Sequence, residues 1–536
     1  MTAVNCMGAL TPLASGASVS PDQILFESRG VVLVLGDDAS VGAVAQTIAR
    51  HHRTVVFAPG VDALTPGSRV TAVGRRVTTV RGHLGAFQAE VRSASGVSDI
   101  GAASPNPSRF FDLVLDLSQQ PLIAQTVAPL GYFAPGVDES ARAAAIESMR
   151  ALVGRFTKPR YFQYQPGLCA HGASGLRGCT RCLDVCSAQA IVSAGTTIRV
   201  DPYLCQGCAT CALACPTGAL SFKFLSHETL ADRLQQTLRS GPEGSTLIVH
   251  ASTLGASETQ SVVNAGALSL LVNPLPAFGE ELWLRALALG IGVLILVDDG
   301  TLSERTRTTM TSQLVQVRAM LPALGVAPES LLWITKRELA QRFEAQNVFD
   351  QRESASPFAA SILSRTLPSA GRPKRRALLD TLRELKTTVD TPSIVDLPSG
   401  ASFGEILVNP QRCTLCFACT QLCPTGALVA NNDKIQQLVF RESACVQCGL
   451  CEQGCPEKAI KLHARFAPSA LDENTTRVLY QDEQLACKSC GTPFISRRLL
   501  ASSLERLKGH PLLAKGGRES LMTCPSCRQR GMLNDS

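Results

Sequence analysis

The sequence predicts a multidomain chain of α/β plus α+β class, and three observations support this. The 536 residues exceed what one hydrophobic core organises, and the hydrophobic fraction of 45% is enough to fill several cores. Sixteen of the 21 cysteines fall into two sets of eight. Outside these sets, two stretches alternate apolar runs of strand length with segments of helical periodicity. We therefore expect five folded units and one linker.

Residues 1–155 are predicted to form a Rossmann-like α/β domain. The domain begins with the patterns of a buried strand, a helix and a second strand, at 30–36, 39–50 and 53–58. The loop between the first strand and the helix lacks the GxGxxG pattern, so the indication of a bound nucleotide is weak.

Residues 160–225 are predicted to form a module that binds two [4Fe-4S] clusters. The run Cys205-x2-Cys208-x2-Cys211-x3-Cys215 ends at Pro216. At this spacing three thiolates surround one corner of a cubane, and the fourth, just before proline, crosses to the neighbouring cluster. A pair of zinc sites would use the same cysteine pairs, but would not explain four ligands per run.

The first run of this module departs from that spacing, because residue 176 is Leu176 where a cysteine is expected. The nearest substitute is Cys169, and three intervening glycines could loop its thiol back to the iron. The crossing rule then assigns one cluster to Cys169, Cys179, Cys182 and Cys215 and the other to Cys186, Cys205, Cys208 and Cys211. If Cys169 does not reach, the site is a three-iron cluster or takes another ligand, for which His171 is the candidate.

Residues 226–345 are predicted to form a second Rossmann-like α/β region. Apolar strand patterns with helical segments between them suggest a parallel sheet, with strands at 245–249, 269–272 and 292–297. The most apolar segment, 282–297, is interrupted by Arg285 and is short for a bilayer span. We expect a helix followed by a buried strand there, and no membrane span.

Residues 346–402, rich in Ser, Pro, Arg and Thr, are predicted to form a flexible linker that lets the following units move. The basic run 372–376 is interpreted as a solvated part of this linker, although an acidic protein partner could bind it.

Residues 403–465 are predicted to form a second module for two [4Fe-4S] clusters, and here both runs are complete. Each run has the spacing C-x2-C-x2-C-x3-C-P. The crossing rule assigns one cluster to Cys413, Cys416, Cys419 and Cys455 and the other to Cys423, Cys445, Cys448 and Cys451. Four [4Fe-4S] clusters are thus expected in the chain.

The C-terminal residues 480–536 are predicted to form a zinc-ribbon-like module. Cys487 and Cys490 form one CxxC pair, and Cys524 and Cys527 form another. Four thiolates in two such pairs make a closed tetrahedral zinc site, although a single iron is the alternative. The remaining cysteine, Cys6, is expected to be inert.

The two cysteine modules share sequence and resemble a known family. Both contain Cys-Pro-Thr-Gly-Ala-Leu, at 215–220 and 423–428, which indicates an internal repeat. The cysteine runs resemble the bacterial two-[4Fe-4S] ferredoxin family over 160–225 and 403–465. The resemblance implies low-potential transfer of single electrons between adjacent clusters.

Two looser resemblances extend beyond the cysteine modules. Residues 80–87 and 273–279 resemble pieces of heterodisulfide reductase iron-sulfur subunits. The sequence from Cys215 to Cys413 contains no further cysteine between them, so the extra [2Fe-2S] site of that system does not carry over. The overall layout resembles polyferredoxin proteins associated with formate dehydrogenase systems, which implies a redox enzyme as partner.

Composition limits the other classes of function. An aromatic fraction of 5% argues against stacking on nucleic acid, and the formal charge of +7 falls to about −3 once the expected clusters and zinc are counted. The pair His51 and His52 is expected in a solvated turn. The many CxxC pairs and the absence of a signal-like N-terminus favour the cytoplasm.

The leading hypothesis is an electron relay rather than a catalyst. One alternative is a flavin- or nucleotide-binding oxidoreductase subunit, although the sequence shows no flavin fingerprint. Another is an accessory or maturation factor for a metalloenzyme, with the zinc module as its binding device.

Overall fold

The computed structural model has mixed α/β architecture in which parallel sheets and short antiparallel sheets alternate along the chain. It describes residues 10–14, 19–61, 69–94, 96–239, 245–252, 262, 266–344, 373–386, 393–431, 435–511 and 517–534. Cys6 lies outside the described residues. Short 3-10 helices occur at Gly101–Ala103, Pro166–Leu168, Leu275–Ala277, Leu321–Leu324, Pro328–Ser330, Glu442–Ala444 and Pro468–Ala470.

A five-stranded parallel sheet organises the N-terminal unit. Its central strand, Val31–Leu35, consists of five buried apolar residues, and helix Val41–Ala49 connects it to the next strand, as the sequence predicts. The Asp112 carboxylate accepts hydrogen bonds of 2.9 Å from the backbone N–H groups of Arg29 and Val31. These bonds fix the start of that strand. In spatial order the strands are Tyr132–Phe133, Leu113–Asp116, Val31–Leu35, Arg53–Phe57 and Val70–Val73.

Two antiparallel sheets and helix Glu139–Arg150 complete this unit. One sheet contains Thr11–Pro12, Gly154–Pro159 and Gln23–Ser28, and the other contains Val77–Arg81, Gln88–Ser93 and Gly96–Asp99. The strand Gly154–Pro159 leads directly into the first cysteine module. It therefore carries side chains of the N-terminal unit to that module.

The paired histidines do not share one environment. His51 is exposed, as the predicted turn requires, but His52 is buried. The backbone at Gly30 has φ 77 and no side chain, so the His52 ring can pack against it and bond to its carbonyl oxygen. Burial lowers the pKa of His52. The expectation of a solvated turn is wrong for this residue.

A four-stranded parallel sheet organises the described residues between 245 and 335. One face of the sheet packs into an extensive hydrophobic core, and the other face packs into a smaller one. Its strands, in spatial order, are Leu268–Leu271, Thr246–His250, Val293–Asp298 and Leu331–Thr335. The surrounding helices are His227–Arg239, Glu280–Ala288, Glu304–Met320 and Lys336–Glu344. The predicted helix and buried strand within 282–297 are both present. Within the described part of the chain, every helix is too short or too polar to cross a membrane.

Part of the predicted linker is a buried helix. Residues Lys374–Lys386 form an α-helix whose Leu378, Leu382 and Leu385 lie in the same core as the central parallel sheet. The sequence places these leucines four and three residues apart, so they form one apolar face. The prediction of a flexible linker is therefore wrong for this segment, while 346–372 and 387–392 lie outside the described residues.

The cysteine modules combine short helices with small antiparallel sheets. The first module pairs Phe162–Tyr164 with Leu220–Phe222, Gly172–Ala173 with Leu176–Arg177, and Ile191–Ala194 with Thr197–Val200. The second pairs Ile460–Phe466 with both Val395–Asp396 and Gly404–Val408. The helices are Arg181–Val185, Thr210–Ala214, Ala418–Leu422 and Leu450–Gln453.

The C-terminal unit continues the sheet of the second module. Strand Ile435–Phe440 pairs with Leu428–Asn431 on one side and with Arg477–Ala486 on the other, and the latter pairs with Pro493–Ser496. The boundary expected at residue 480 thus falls inside a strand. Helices Arg497–Arg506, Arg518–Leu521 and Pro525–Asn534 follow.

Replacing Leu382 by alanine should lower the free energy of unfolding by about 2–5 kcal/mol, because the leucine side chain is fully buried in the core. The matched control is Leu407→Ala, at an exposed leucine, for which about 0.5 kcal/mol or less is expected. Urea unfolding followed by circular dichroism measures both. Equal losses would contradict the packing of helix Lys374–Lys386.

Candidate iron-sulfur and four-cysteine sites

We name the four predicted cluster sites by their cysteines. Site A is Cys186, Cys205, Cys208 and Cys211; site B is Cys169, Cys179, Cys182 and Cys215; site C is Cys423, Cys445, Cys448 and Cys451; site D is Cys413, Cys416, Cys419 and Cys455. Sites A and B belong to the first module, and sites C and D to the second.

The four thiols of site D line one cavity. Its wall is otherwise largely apolar and includes Leu415, Phe417, Leu438, Ala459 and Ile460. Burial, and then the neighbouring thiols of Cys416, Cys413 and Cys455, raise the pKa of Cys419 to about 12. Thiolates gathered in an apolar cavity need a cationic centre among them, so this donor set fits an iron-sulfur cluster.

The backbone turns in the same way in each complete cysteine run. The residues just before and just after the second cysteine of each run have left-handed backbone conformations: Gly207 and Ala209, Leu415 and Phe417, Gln447 and Gly449. In each pair the second residue is the N-cap of the short helix that carries the third cysteine. Non-glycine residues adopt this conformation rarely, so its repetition marks a geometric demand of the cysteine loop.

The nine residues between Cys169 and Cys179 contain a β-hairpin. Strands Gly172–Ala173 and Leu176–Arg177 pair around a left-handed turn. Backbone bonds continue the pairing toward the cysteines, since the N–H of Cys179 donates to the carbonyl oxygen of Ala170 at 2.9 Å. The insertion is therefore closed at its base, and its two ends lie side by side.

This hairpin brings Cys169 to site B. Cys169, Cys179, Cys182 and Cys215 line one cavity. Burial, and then the charges of Cys215, Cys179 and Cys169, raise the pKa of the Cys182 thiol. The structure thus gathers the four thiols that the crossing rule groups together, and their binding of a cluster stays a prediction.

His171 braces the hairpin from inside the protein. It is 1% exposed, and its Nδ1 donates to the carbonyl oxygen of Cys179 at 2.8 Å. Its Nε2 lies 2.7 Å from the Ser193 hydroxyl. The alternative that His171 ligates iron is not supported, because both ring nitrogens already have partners.

At sites A and C, thiols that the crossing rule assigns to one cluster lie close enough to influence one another's pKa. Burial, opposed by the N–H of Gly207 but reinforced by Cys208 and Cys186, raises the pKa of Cys205 to about 11. In site C, burial together with Cys448 and Cys423 raises the pKa of Cys445 to about 12.

Hydrogen-bond donors point at several of these sulfurs. The backbone N–H groups four residues after Cys186 and Cys455 donate to their sulfurs at 3.2 Å, from Ala190 and Ala459. The Thr210 hydroxyl donates to the Cys208 sulfur at 3.4 Å. Such donors stabilise negative charge on a thiolate and so influence the reduction potential of a bound cluster.

A buried lysine from the N-terminal unit contacts site A. Lys158 is 2% exposed, and its ammonium donates to the backbone carbonyl oxygens of Tyr203 at 2.8 Å and Cys205 at 2.7 Å. The same ammonium lies 5.0 Å from the centre of the Phe26 ring. A buried cation requires such partners, and here they come from the loop that holds site A.

Arg375 makes the equivalent contact at site C. Its guanidinium donates to the carbonyl oxygens of Ser443 at 3.2 Å and Cys445 at 2.9 Å, and stacks 4.0 Å from the Phe403 ring centre. Cys445 and Cys205 occupy the same position in their cysteine runs. Burial lowers the pKa of Arg375 to about 10, so the guanidinium stays charged at neutral pH. The prediction of a solvated basic run at 372–376 is wrong for this residue.

The C-terminal cysteines form a tighter group. Cys487, Cys490, Cys524 and Cys527 place their sulfurs within 4.8 Å of one another, and the Cys490 and Cys524 sulfurs are 3.8 Å apart. A tetrahedral zinc with Zn–S bonds of about 2.3 Å needs sulfurs about 3.8 Å apart. Among the described residues this set alone gathers its ligand atoms so closely, and the wider spacing at sites A to D suits a larger group.

The surroundings of Cys487 favour the thiolate form of its side chain. Burial would raise its pKa, but the backbone N–H groups of Cys524, Cys490 and Ser489 outweigh burial and lower the pKa to about 6. The Cys524 N–H lies 3.2 Å from the Cys487 sulfur. Since the thiolate is the form that binds metal, this set fits zinc or a single iron.

The C-terminal unit packs beside site D. The Ser496 hydroxyl is buried and donates to the Thr414 carbonyl oxygen at 2.9 Å, while Arg506 pairs with Glu457 at 2.6 Å. Thr414 and Glu457 both line the site D cavity. Arg498 also donates to the carbonyl oxygens of Pro410 and Gln411.

Two protein-family models match the chain. Residues 412–460 match a 4Fe-4S dicluster domain, and residues 198–221 match a 4Fe-4S binding domain. The first match contains all eight cysteines of sites C and D, and the second contains Cys205, Cys208, Cys211 and Cys215. No curated protein matches the chain. The chain thus carries two ferredoxin-type 4Fe-4S domains and a C-terminal four-cysteine cluster, which indicates iron-sulfur electron transfer.

Sequence reasoning missed Lys158 and Arg375. Nothing in the sequence around Lys158 distinguishes it from a surface lysine. For Arg375, the leucine periodicity of the following residues was an available signal, because a helix buried along one face carries its first turn into the core as well.

Replacing Cys169 by alanine should reduce the iron content from about sixteen to about fifteen per chain, with an oxidised three-iron EPR signal. The reason is that site B would keep only three thiols. Metal analysis and low-temperature EPR of anaerobically purified protein measure this. Cys6→Ala, which removes a cysteine outside the five sets, is the control and should leave both quantities unchanged; unchanged iron in Cys169→Ala would exclude Cys169 as a ligand.

Replacing Lys158 by methionine should make the reduction potential of the site A cluster more negative by roughly 50 mV, about 1 kcal/mol for one electron. Removing a nearby positive charge disfavours the reduced, more negative cluster. Lys158→Arg should keep most of the wild-type potential, and Lys223→Met, at a lysine paired on the surface, should have no effect. An EPR-monitored redox titration decides, and an unshifted potential in Lys158→Met would contradict the role given to this charge.

Proposed function

We propose that this chain is an iron-sulfur electron-transfer protein that relays single electrons through four [4Fe-4S] clusters, to or from a partner redox enzyme. The observation that carries the proposal is the arrangement of the cysteines at sites B and D. In each, three thiols from one loop and a fourth from the other line a single cavity. When bound, each cluster would accept and release one electron.

The residues around the cysteines fit a carrier of electrons. The apolar walls limit water, the N–H and hydroxyl donors stabilise thiolate charge, and Lys158 and Arg375 add positive charge behind two of the sites. These features tune the potential of a cluster, as an electron relay requires.

We propose structural zinc at the C-terminal set, on the basis of its sulfur spacing. Because this unit shares a sheet with the second module and packs beside site D, it would hold the second module in place. The partner is proposed only by class: a redox enzyme, with a formate dehydrogenase system suggested by the resemblance in layout.

Titrating the anaerobic, oxidised protein with dithionite should consume about four electrons per chain, one for each cluster. The matched variant Cys487→Ala/Cys490→Ala removes the C-terminal site and should still take up about four electrons, because zinc is not redox-active. A fifth electron that disappears in this variant would indicate iron at that site. Uptake of no electrons, or release of a flavin on denaturation, would contradict the proposed relay.

A further inference from the structure

The two cysteine modules contact each other at sites B and C. Gly178 precedes the site B ligand Cys179, and a Cβ built at Gly178 would lie 2.7 Å from Leu450 Cγ. Leu450 stands between the site C ligands Cys448 and Cys451 and is fully buried. Backbone beside one site therefore touches a side chain beside the other.

A second contact joins the modules from the other direction. A Cβ at Gly454, in the second module, would lie 2.9 Å from Leu176 Cδ1. Leu176 occupies the position where the cysteine spacing expects a ligand, and it lies on the hairpin that carries Cys169 to site B. The departure from the cysteine spacing thus occurs at the junction, where an apolar side chain packs on the second module.

Arg181 lies between the two sites. It lines the site B cavity, and its Nη2 donates to the Ala401 carbonyl oxygen of the second half of the chain at 2.9 Å. Its positive charge also acts on Cys179 of site B and on Cys448 of site C. The same charge therefore reaches ligands of two different modules.

Consecutive basic residues hold this junction closed. Lys374 donates to the carbonyl oxygens of Leu213 at 2.6 Å and Ala212 at 3.0 Å, in the first module. Arg375 donates to the carbonyl oxygens of Ser443 and Cys445 in the second. One turn of helix Lys374–Lys386 thus binds both modules at once.

We propose that sites B and C are the inner pair of one linear relay, ordered A, B, C, D, and that electrons cross between the modules at this junction. The inference rests on the proposed function and adds the route. Each crossing moves one electron, so that the cluster on one side is oxidised as the other is reduced, with no proton or further reactant.

Exposure of the cysteines agrees with this order. Every cysteine of sites B and C is buried or partly buried, whereas Cys208 of site A and Cys416 of site D are exposed. Because electron tunnelling weakens steeply with distance, partners exchange electrons best where a ligand reaches the surface. The two ends of the relay are therefore the expected points of entry and exit.

The variant Arg181→Gln tests whether one positive charge at the junction acts on both site B and site C. In an EPR-monitored redox titration, two of the four cluster potentials should become more negative together, because one guanidinium faces ligands of both sites. The control is Arg177→Gln, at an exposed arginine on the hairpin that precedes Arg181, which should shift none. A shift confined to one cluster, or no shift, would overturn the proposed juxtaposition.

The variants Gly178→Ala and Gly454→Ala test whether the two modules pack closely against each other at the junction. Each added methyl meets a leucine of the other module, Leu450 for Gly178 and Leu176 for Gly454, and also an atom of its own module, in Ala170 and Leu422 respectively. The spin-spin interaction between the reduced clusters of sites B and C should therefore weaken in both variants. Gly167→Ala, at a glycine of the first module with open space around it, should leave the interaction unchanged. An unchanged interaction in both junction variants would overturn the inference.

Failure of this inference and failure of the proposed function give different results. If wild-type protein contains no iron-sulfur clusters or takes up no electrons, the relay itself is wrong. If wild-type protein takes up about four electrons but the junction variants behave like their controls, the relay stands and the route through sites B and C is wrong.

Discussion

The convergence of thiols from two loops on one cavity is the constraint on which the rest of the structure depends. At sites B and D, three thiols follow one another along a loop and the fourth arrives from the partner loop of the same module. Neither loop can complete a site alone, so both must be held in register. The recurring left-handed residues, such as Ala209 and Phe417, turn successive thiols inward. Leu176 stands where the spacing expects a cysteine, and the hairpin that contains Leu176 brings the Cys169 thiol to the site instead.

Buried positive charge connects these sites to the parallel sheets. Lys158 belongs to a strand of the N-terminal unit and Arg375 to a helix packed in the central core, yet both bind backbone carbonyl oxygens of cysteine loops. Each cation would be costly to bury without those oxygens, and each loop would lose its support without the cation. The arrangement fixes the modules on their scaffold and also sets the charge felt by a bound cluster. The same two residues therefore attach the modules to the scaffold and influence the reduction potential of a bound cluster.

The sequence predicted features that depend on local patterns, but it did not predict contacts between residues that are far apart in the chain. Cysteine spacing predicted which thiols meet at site D, and apolar periodicity predicted the strand Val31–Leu35 and the helix after it, because both depend on local sequence patterns. The helix Lys374–Lys386 was missed because its basic, Ser- and Pro-rich surroundings resemble a linker and its apolar face is buried by distant segments. Lys158 and His171 have partners that are distant in sequence or hidden by a hairpin. Their roles follow only from the fold.

Metal and acid-labile sulfide analysis of anaerobically purified protein, combined with low-temperature EPR after reduction, tests the central claim most directly. Four cluster sites and a separate zinc site predict about sixteen iron, sixteen sulfide and one zinc per chain, with interacting signals from reduced cubanes. Zinc distributed over the cysteine pairs of sites A to D, with little sulfide, would contradict the account, because the cavities would then hold single ions and carry no electrons.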